Sequence, residues 1–552
     1  MLLGLLIVLA QPFIPGKTET RSVIVQGGDL SVVKTAVQAV GGEITHELGI
    51  INAVGVKLSD AKLRALKGRD EVRRIFADRT AKVAGKPTPE TFYPSVIGAD
   101  RLHTEGITGA GVGVAVLDTG GQAHVALNKD SNGWWRHVAQ YDAITDSVLA
   151  SLPVAELTSV SGTGILTNDE NGHGVHVSSI ALGSGNTGGR SPKYSGVAPD
   201  AYLISVKAFD ANGAGTYLDV IRAIDWVVAN KDTYAIRVLN LSFSTTPRSY
   251  YWDDPLNQAV MAAWEAGIVV VASAGNTGPD AQSIGVPGNV PYIITVGAMS
   301  DDYTPEDGTD DALASFSAAG PTYEGFVKPD VVAPGGHMLG LMRNDMQIAL
   351  DHPEFHYGAN YYEMSGTSQS AAVVSGVVAL MLQTDPWLSP ADVKCRLMAS
   401  ARPAVGVTGA LAYSIFQQGA GQVYAYDAVY NTETSCANRG LDVSKDLAGT
   451  EHYGGRANQD ANGNYYIMGL DGYLWSDGYL WSDGYLWSDG YLWSDGYLWS
   501  DGYLWSDGYD WYKGDLLSDG YLWSDGYLWS DGYLWSDSLT ETASVNVWVD
   551  QQ

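Results

Sequence analysis

Apolar positions along the chain fall into three regimes. From Arg21 to about Asp78 they trace a strand (SVIVQ), a helix (Leu30 to Val40), two strands (Glu43 to Leu48, Ile50 to Val56), a helix (Ser59 to Leu66) and a strand (Val72 to Phe76). This predicts a small β-α-β-β-α-β unit over residues 21–85. Ser59 stands where an N-cap belongs, and Gly41-Gly42 closes the first helix. Over residues 95–430 the runs VGVAVLD, NGHGVHVSSIAL, AYLISVKAF, YLDVIRAIDWVVA, VLNLSF, LNQAVMAAWEAG, IVVVASAGN and YIITVGAM alternate apolar strands with helical patterns. Such alternation predicts an α/β domain, a parallel β-sheet flanked by helices on both faces. Ligands of such sheets sit beyond the carboxyl ends of the strands, where Asp118, Ser242 and Asn276 stand. The third regime, residues 471–537, is a hexapeptide repeat.

Charge divides the chain along the same lines. Its 552 residues hold 32 basic and 62 acidic side chains, a net charge of −30 that disfavours nucleic acid and anionic lipid as partners. Residues 57–82 reverse the sign, with nine basic against four acidic residues. A basic unit tethered to an acidic remainder is expected to dock on it, as a regulatory segment would. Between them AKVAGKPTPETFYP (81–94), with three prolines and no periodicity, reads as an exposed linker open to proteolysis. Only two cysteines occur, Cys395 and Cys436, which excludes a disulfide scaffold or a four-thiolate zinc site and admits one disulfide or two free thiols. The run MLLGLLIVLA at Met1 to Ala10 is too short to span a bilayer and has the length of a signal-peptide core, so residues 1–20 are read as a signal segment and the protein as exported. An ordinary buried strand accounts for the same run. No other stretch is long and apolar enough for a transmembrane segment.

Three motifs carry chemistry. Asp118 closes the buried run Val112 to Leu117 in an Asp-Thr-Gly turn, His173 opens a helical pattern in NGHGVHV, and Ser368 precedes a buried helix in SGTSQSAA. A serine hydroxyl needs an adjacent imidazole to take its proton, and a buried carboxylate fixes that imidazole's tautomer. Gly366 admits close backbone approach, and a helix start adds positive potential beside Ser368. Asn276, in Ser-Ala-Gly-Asn after the strand Ile268 to Ala272, is suited to donate to a developing oxyanion together with the Ser368 N–H. A lone Asp-Thr-Gly also marks pepsin-like aspartic proteases, but these need two copies, and no second Asp-Thr-Gly or Asp-Ser-Gly occurs.

The order Asp, His, Asn, Ser and the strings VAVLDTG, NGHGVHV, GVAP, SAGN, KPDVVAPG and GTS resemble the subtilisin-like serine proteases over residues 95–430. The resemblance implies an endopeptidase with Asp118, His173, Ser368 and Asn276 as catalytic residues and no cofactor for the chemistry. It extends to residues 21–85, which resemble the family's inhibitory propeptide, a ferredoxin-like α+β domain that is later cleaved off. Gly213, Ala214 and Gly215 resemble the edge segment that pairs with extended polypeptide substrates, Ser242, Phe243 and Ser244 form the opposite rail, and Ser273, Ala274 and Gly275 complete the substrate-binding set. Departures are Val175 for the usual threonine, Gln369 for methionine, Ala372 for proline, and Ser244 where glycine is usual. His176, the motif's second histidine, reads as structural. The 55 residues from Asp118 to His173 and the stretch His337 to Tyr362 are longer than usual and are expected to form surface loops near the cleft. Structural calcium is the ion implied; Asp301, Asp302, Asp307, Asp310 and Asp311 offer carboxylates for it, and a solvated acidic loop accounts for them equally.

Residues 471–536 are eleven hexapeptides, nine of them DGYLWS. Asp-Gly turns flanking four-residue β-prone runs put Tyr and Trp on one face. A glycan- or cell-surface-binding β-stack, a calcium-binding repeat and a ligand-free expansion all fit this composition. The competing view of the whole chain is a surface adhesin with an inactive protease-like domain, acting through these repeats.

Overall fold

The computed structural model describes residues 20–78, 93–160, 162–185, 195–305, 308, 310–358, 360–406, 410–460, 463–467, 509–510, 542–545 and 549. The signal segment, most of the linker, Asp307 and all but two repeat residues lie outside them. The chain divides into two compact units, Met1–Pro87 and Thr88–Gln552.

In the first unit an antiparallel sheet runs in the order Glu43–Leu48, Ala53–Ser59, Thr20–Gln26, Arg74–Ala77. Two helices, Leu30–Ala39 and Asp60–Lys67, complete the β-α-β-β-α-β order. Val25, Val33, Val37, Val56 and Leu66 form its core. Asp29 caps the first helix through the Ser31 and Val32 N–H groups, whereas Ser59 occupies the second N-cap without a side-chain bond. Where the pattern predicts a strand from Ile50, residues 49–51 form a 3₁₀ turn. Asn52 is left-handed at φ 51°, so the strand starts at Ala53.

The second unit is built on a nine-stranded sheet. Val331–Pro334, Ile294–Ser300, Val269–Ser273, Ile236–Leu241, Gly113–Asp118, Tyr202–Lys207 and His137–Asp142 lie side by side in parallel. Ala312–Leu313 and Ser147–Ser151 add antiparallel pairings at the margins. Strands Gly113–Asp118 and Val269–Ser273 are buried along their whole length and Ile236–Leu241 at all but Arg237, as a sheet covered on both faces requires. Helix His173–Leu182 packs against Thr367–Thr384, and Tyr217–Ala229 against Pro255–Glu265.

The two long insertions are not surface loops. The first supplies the strands His137–Asp142 and Ser147–Ser151 to the main sheet. The second folds into a separate sheet of Met338–Leu341, Tyr361–Met364 and His356–Tyr357, with Tyr362 fully buried. Strands His137–Asp142, Met338–Leu341 and Tyr361–Met364 are buried nearly throughout, and a surface loop could not bury those side chains. Of the two open cysteine states, the structure has the disulfide Cys395–Cys436.

The KPDVVAPG string has a structural role. Asp330 Oδ2 accepts from Lys328 Nζ and from Thr295 N, both at 2.7 Å, and Lys394 Nζ lies 3.0 Å from Oδ1. All three side chains are buried, and burial pushes the Lys328 ammonium down to about 7. One carboxylate therefore holds two desolvated cations beside the end of the sheet. Asp330→Ala is expected to cost about 3–5 kcal/mol, because it strands both cations. Urea unfolding measures this, and a loss below about 1 kcal/mol would show the cluster to be neutral.

Candidate active site

Strand Gly113–Asp118 ends on the fully buried Asp118, and the following turn points its carboxylate at the start of helix His173–Leu182. Oδ1 accepts the Thr119 N–H at 2.8 Å and lies 2.7 Å from His173 Nδ1. An acceptor-only carboxylate at this distance fixes the proton on Nδ1 and leaves Nε2 as the acceptor nitrogen of the neutral ring. The helix can approach because Gly174 lacks a side chain: a Cβ there would fall 2.7 Å from the Gly120 carbonyl. Gly174 N instead donates to Thr119 Oγ1 at 2.8 Å. Asp169 caps the same helix, accepting from Gly172 N at 2.7 Å and Val175 N at 2.9 Å. Its own carboxyl is raised by burial, against the lowering effect of those N–H groups.

Ser368 is the second residue of helix Thr367–Thr384. Its Oγ donates to the Ser242 carbonyl at 3.0 Å, and Ser242 Oγ donates back to the Ser368 carbonyl at 3.0 Å. No hydrogen bond joins Ser368 to His173 in this arrangement; rotamer wells for a serine are separated by one torsion. Asn276 is oriented by Thr367, whose N and Oγ1 donate to Oδ1 at 3.0 and 2.8 Å. The Asn276 amide nitrogen lies 3.3 Å from where a Gly366 Cβ would project, so glycine there keeps the amide uncrowded. Ser244, Ser273, Gly275, Asn276 and Ser368 line one cavity of about 290 Å³.

The remaining rail residues divide. Phe243 lines the cavity, and Ser273 Oγ donates to its carbonyl at 3.1 Å. Ala274 packs away from the cavity with Ile284 and Ala318. Ser244 Oγ points at the Gly275 side of the cavity, 3.1 Å from where a Cβ on that glycine would lie, and so narrows it. Gly213, Ala214 and Gly215 stand apart from this cavity, at the edge of a two-stranded pairing with Thr542–Ser544.

The Subtilase family profile, Peptidase_S8, matches residues 109–426. The chain belongs to this family of serine peptidases. It is 33% identical over 350 residues to serine protease AprX of Bacillus subtilis (strain 168), across 62% of this chain and 73% of that protein. To subtilisin E of the same strain it is 29% identical over 371 residues, 67% and 80% of the two chains. The crystal structure of fervidolysin from Fervidobacterium pennivorans superposes with a TM-score of 0.48 at 22% identity, over 82% of this chain and 65% of that one.

This subtilase's departures from the family strings have local partners. Gln369 Nε2 approaches His176 Nδ1 at 3.4 Å, and His176 Nε2 meets the Tyr362 carbonyl at 3.0 Å. Burial lowers the His176 imidazole to about 3, so it stays neutral. Val175 and Ala372 are buried among apolar neighbours. In the acidic loop Asp301 pairs with His337 Nε2 and Asp310 accepts from Thr304 Oγ1 at 2.7 Å, while Asp307 lies outside the described residues. Among the described residues no three acidic, histidine or cysteine side chains gather for a metal.

Sequence reading missed Asp169 and Thr367. Asp169 stands three residues ahead of the N-cap Gly172, outside the positions where capping carboxylates cluster, so no capping signal marked it in the sequence. Gly174→Ala is expected to drive the helix from the Thr119-Gly120 turn, destabilise the fold by about 1–3 kcal/mol and lower peptidase kcat/KM at least tenfold. Thermal unfolding and peptide hydrolysis read the two effects; a variant with native activity would show the close approach to be dispensable.

Proposed function

We propose that this subtilase is a secreted serine endopeptidase, made as a proenzyme, that hydrolyses polypeptides through an acyl-enzyme. The observation that carries the reading is the buried 2.7 Å contact of Asp118 with His173 Nδ1, on a helix that packs against the one whose start holds Ser368 in a cavity with an oriented asparagine amide. Ser368 Oγ turns from the Ser242 carbonyl, attacks the scissile carbonyl carbon and gives its proton to His173 Nε2. Asp118 stabilises the imidazolium. His173 then protonates the leaving amine, and a water molecule repeats the sequence to release the acyl group and restore the serine.

Asn276 Nδ2 and the Ser368 N–H receive the oxyanion. In subtilisin, losing an amide donor of this kind costs roughly 3–4 kcal/mol of transition-state stabilisation. Substrates bind as an added strand along Gly213–Gly215, with Ser242–Ser244 opposite. Secretion is supported by the Met1–Ala10 run and by the Cys395–Cys436 disulfide, a bond of oxidising compartments. No helix among the described residues is long and apolar enough to cross a membrane. The unit ending at Pro87 is the inhibitory propeptide, released by the enzyme's own cleavage.

Prolonged exposure to a fluorophosphonate probe tests the reading. The wild type is expected to label and to lose a fragment ending near Pro87 by intact mass, and Ser368→Ala to do neither. Equal labelling of wild type and Ser368→Ala, or none in either, would overturn the assignment.

A further inference from the structure

The edge read as the substrate-binding strand already carries a strand, and it comes from the far end of the same chain. Thr542, Ala543 and Ser544 pair antiparallel with Thr216, Gly215 and Ala214. Val545 N donates to the Gly213 carbonyl at 3.0 Å. On the other side Ser244 N donates to the Ser544 carbonyl at 3.3 Å, in an antiparallel bridge. The segment is therefore the middle strand of three, held by both rails at once. Ser544 and Val545 line the same cavity as Ser368 and Asn276.

Side chains reinforce the backbone pairing. Ala543 and Val545, two residues apart and so on one face, are 0% and 3% exposed. Four residues on, Val549 packs with Ala298, Ala314 and Phe316. The Phe316 carbonyl accepts from Gly278 N at 2.9 Å, which ties that anchor to the loop carrying Asn276. The tail is fixed at the rails through Thr542–Val545, with Ser368 in the cavity that Ser544 and Val545 line, and Val549 packs separately against Phe316.

We infer that Thr542–Val545 is a built-in competitor for the substrate cleft, which keeps the enzyme latent until this C-terminal segment is displaced or removed. The inference rests on the proposed reading of the site. It names a second restraint on that site, independent of the unit ending at Pro87. Because the competitor is covalently attached, an incoming peptide contends with an effective concentration rather than a bulk one. Latency therefore raises the apparent KM for extended peptides and leaves kcat unchanged.

Two full-chain variants test this without touching the rails or the catalytic groups. Val545→Pro deletes the N–H that meets Gly213, and Ala543→Glu forces a charge into a fully buried position. Each is compared with the wild type after intact mass has verified the C-terminal end. The readouts are the rate of fluorophosphonate labelling and the hydrolysis of a fluorogenic peptide long enough to span both rails. Both variants are expected to label faster and to lower KM about tenfold at constant kcat. A synthetic peptide of residues 540–549 is expected to inhibit them competitively. Unchanged KM and labelling rate in both variants, with Ser368 still labelled, would overturn the tail's role and leave the peptidase reading standing. Absence of Ser368-dependent labelling in all three proteins would overturn both.

Discussion

A carboxylate without solvent contact can remain only where donors meet it, and the second unit is arranged around meeting Asp118. The strand that carries it is buried on both faces, so the side chain cannot turn outward. Its compensation is one-sided: Oδ1 meets the Thr119 N–H and His173, while Oδ2 has no hydrogen-bond partner among the described residues. The start of helix His173–Leu182 must lie close, and closeness is set by the absent side chain at Gly174 and by the Thr119 hydroxyl on Gly174 N. A second buried carboxylate, Asp169, fastens the same helix turn from outside. Two acids so near each other repel, and the raised Asp169 carboxyl records that repulsion along with its burial. The Asp118–His173 geometry is thus an outcome of charge burial, and the helix position is the variable that satisfies it.

The second helix start obeys a different constraint. Helix Thr367–Thr384 is buried nearly end to end, so its opening residues have to find partners inside the protein. Thr367 finds Asn276, Ser368 finds Ser242, Gln369 approaches His176 and Ser370 finds the Ala333 carbonyl. Asn276 and Ser242 lie just beyond the carboxyl ends of strands, His176 on the neighbouring helix, and Ala333 within the strand Val331–Pro334. Gln369 replaces the usual methionine without loss because the neutral His176 ring presents Nδ1 to it, while Nε2 is engaged by Tyr362. The sheet contributed by the stretch after His337 supplies that Tyr362 carbonyl, so the insertion and the substitution belong to one local solution.

Legibility in the sequence followed the range of the interactions. The strands and helices of the second unit were visible because their signal is local periodicity, and Asp118, His173, Asn276 and Ser368 stood out as candidates because each sits at the end of such an element. The insertions were misread because a short strand and a loop differ only in what they pair with: His137–Asp142 pairs with a strand some sixty residues away. Asp169 and Thr367 were passed over because polar residues at helix starts are common, and only distances separate a bond to the site from an ordinary cap. The disulfide stayed undecided because two cysteines fix the pairing and leave the redox state open.

The tail is the extreme case of the same limit. Three residues of ordinary composition, Thr-Ala-Ser, carry no local mark of a strand, and their partner lies more than three hundred positions earlier. What determines the pairing is the edge itself. Gly213, Ala214 and Gly215 present a ladder of backbone donors and acceptors with almost no side chain to discriminate among extended peptides, and Asp210 holds the turn by accepting from Asn212 N and Ala214 N. An open edge of that kind pairs with whatever strand reaches it. On the proposed reading of this edge, selectivity among substrates comes from the buried side-chain positions, such as those filled here by Ala543 and Val545. A chain that carries its own extended segment on a tether fills such an edge before any substrate in bulk solution can, so the unselective edge useful to an endopeptidase is also the feature that makes self-occupation favourable.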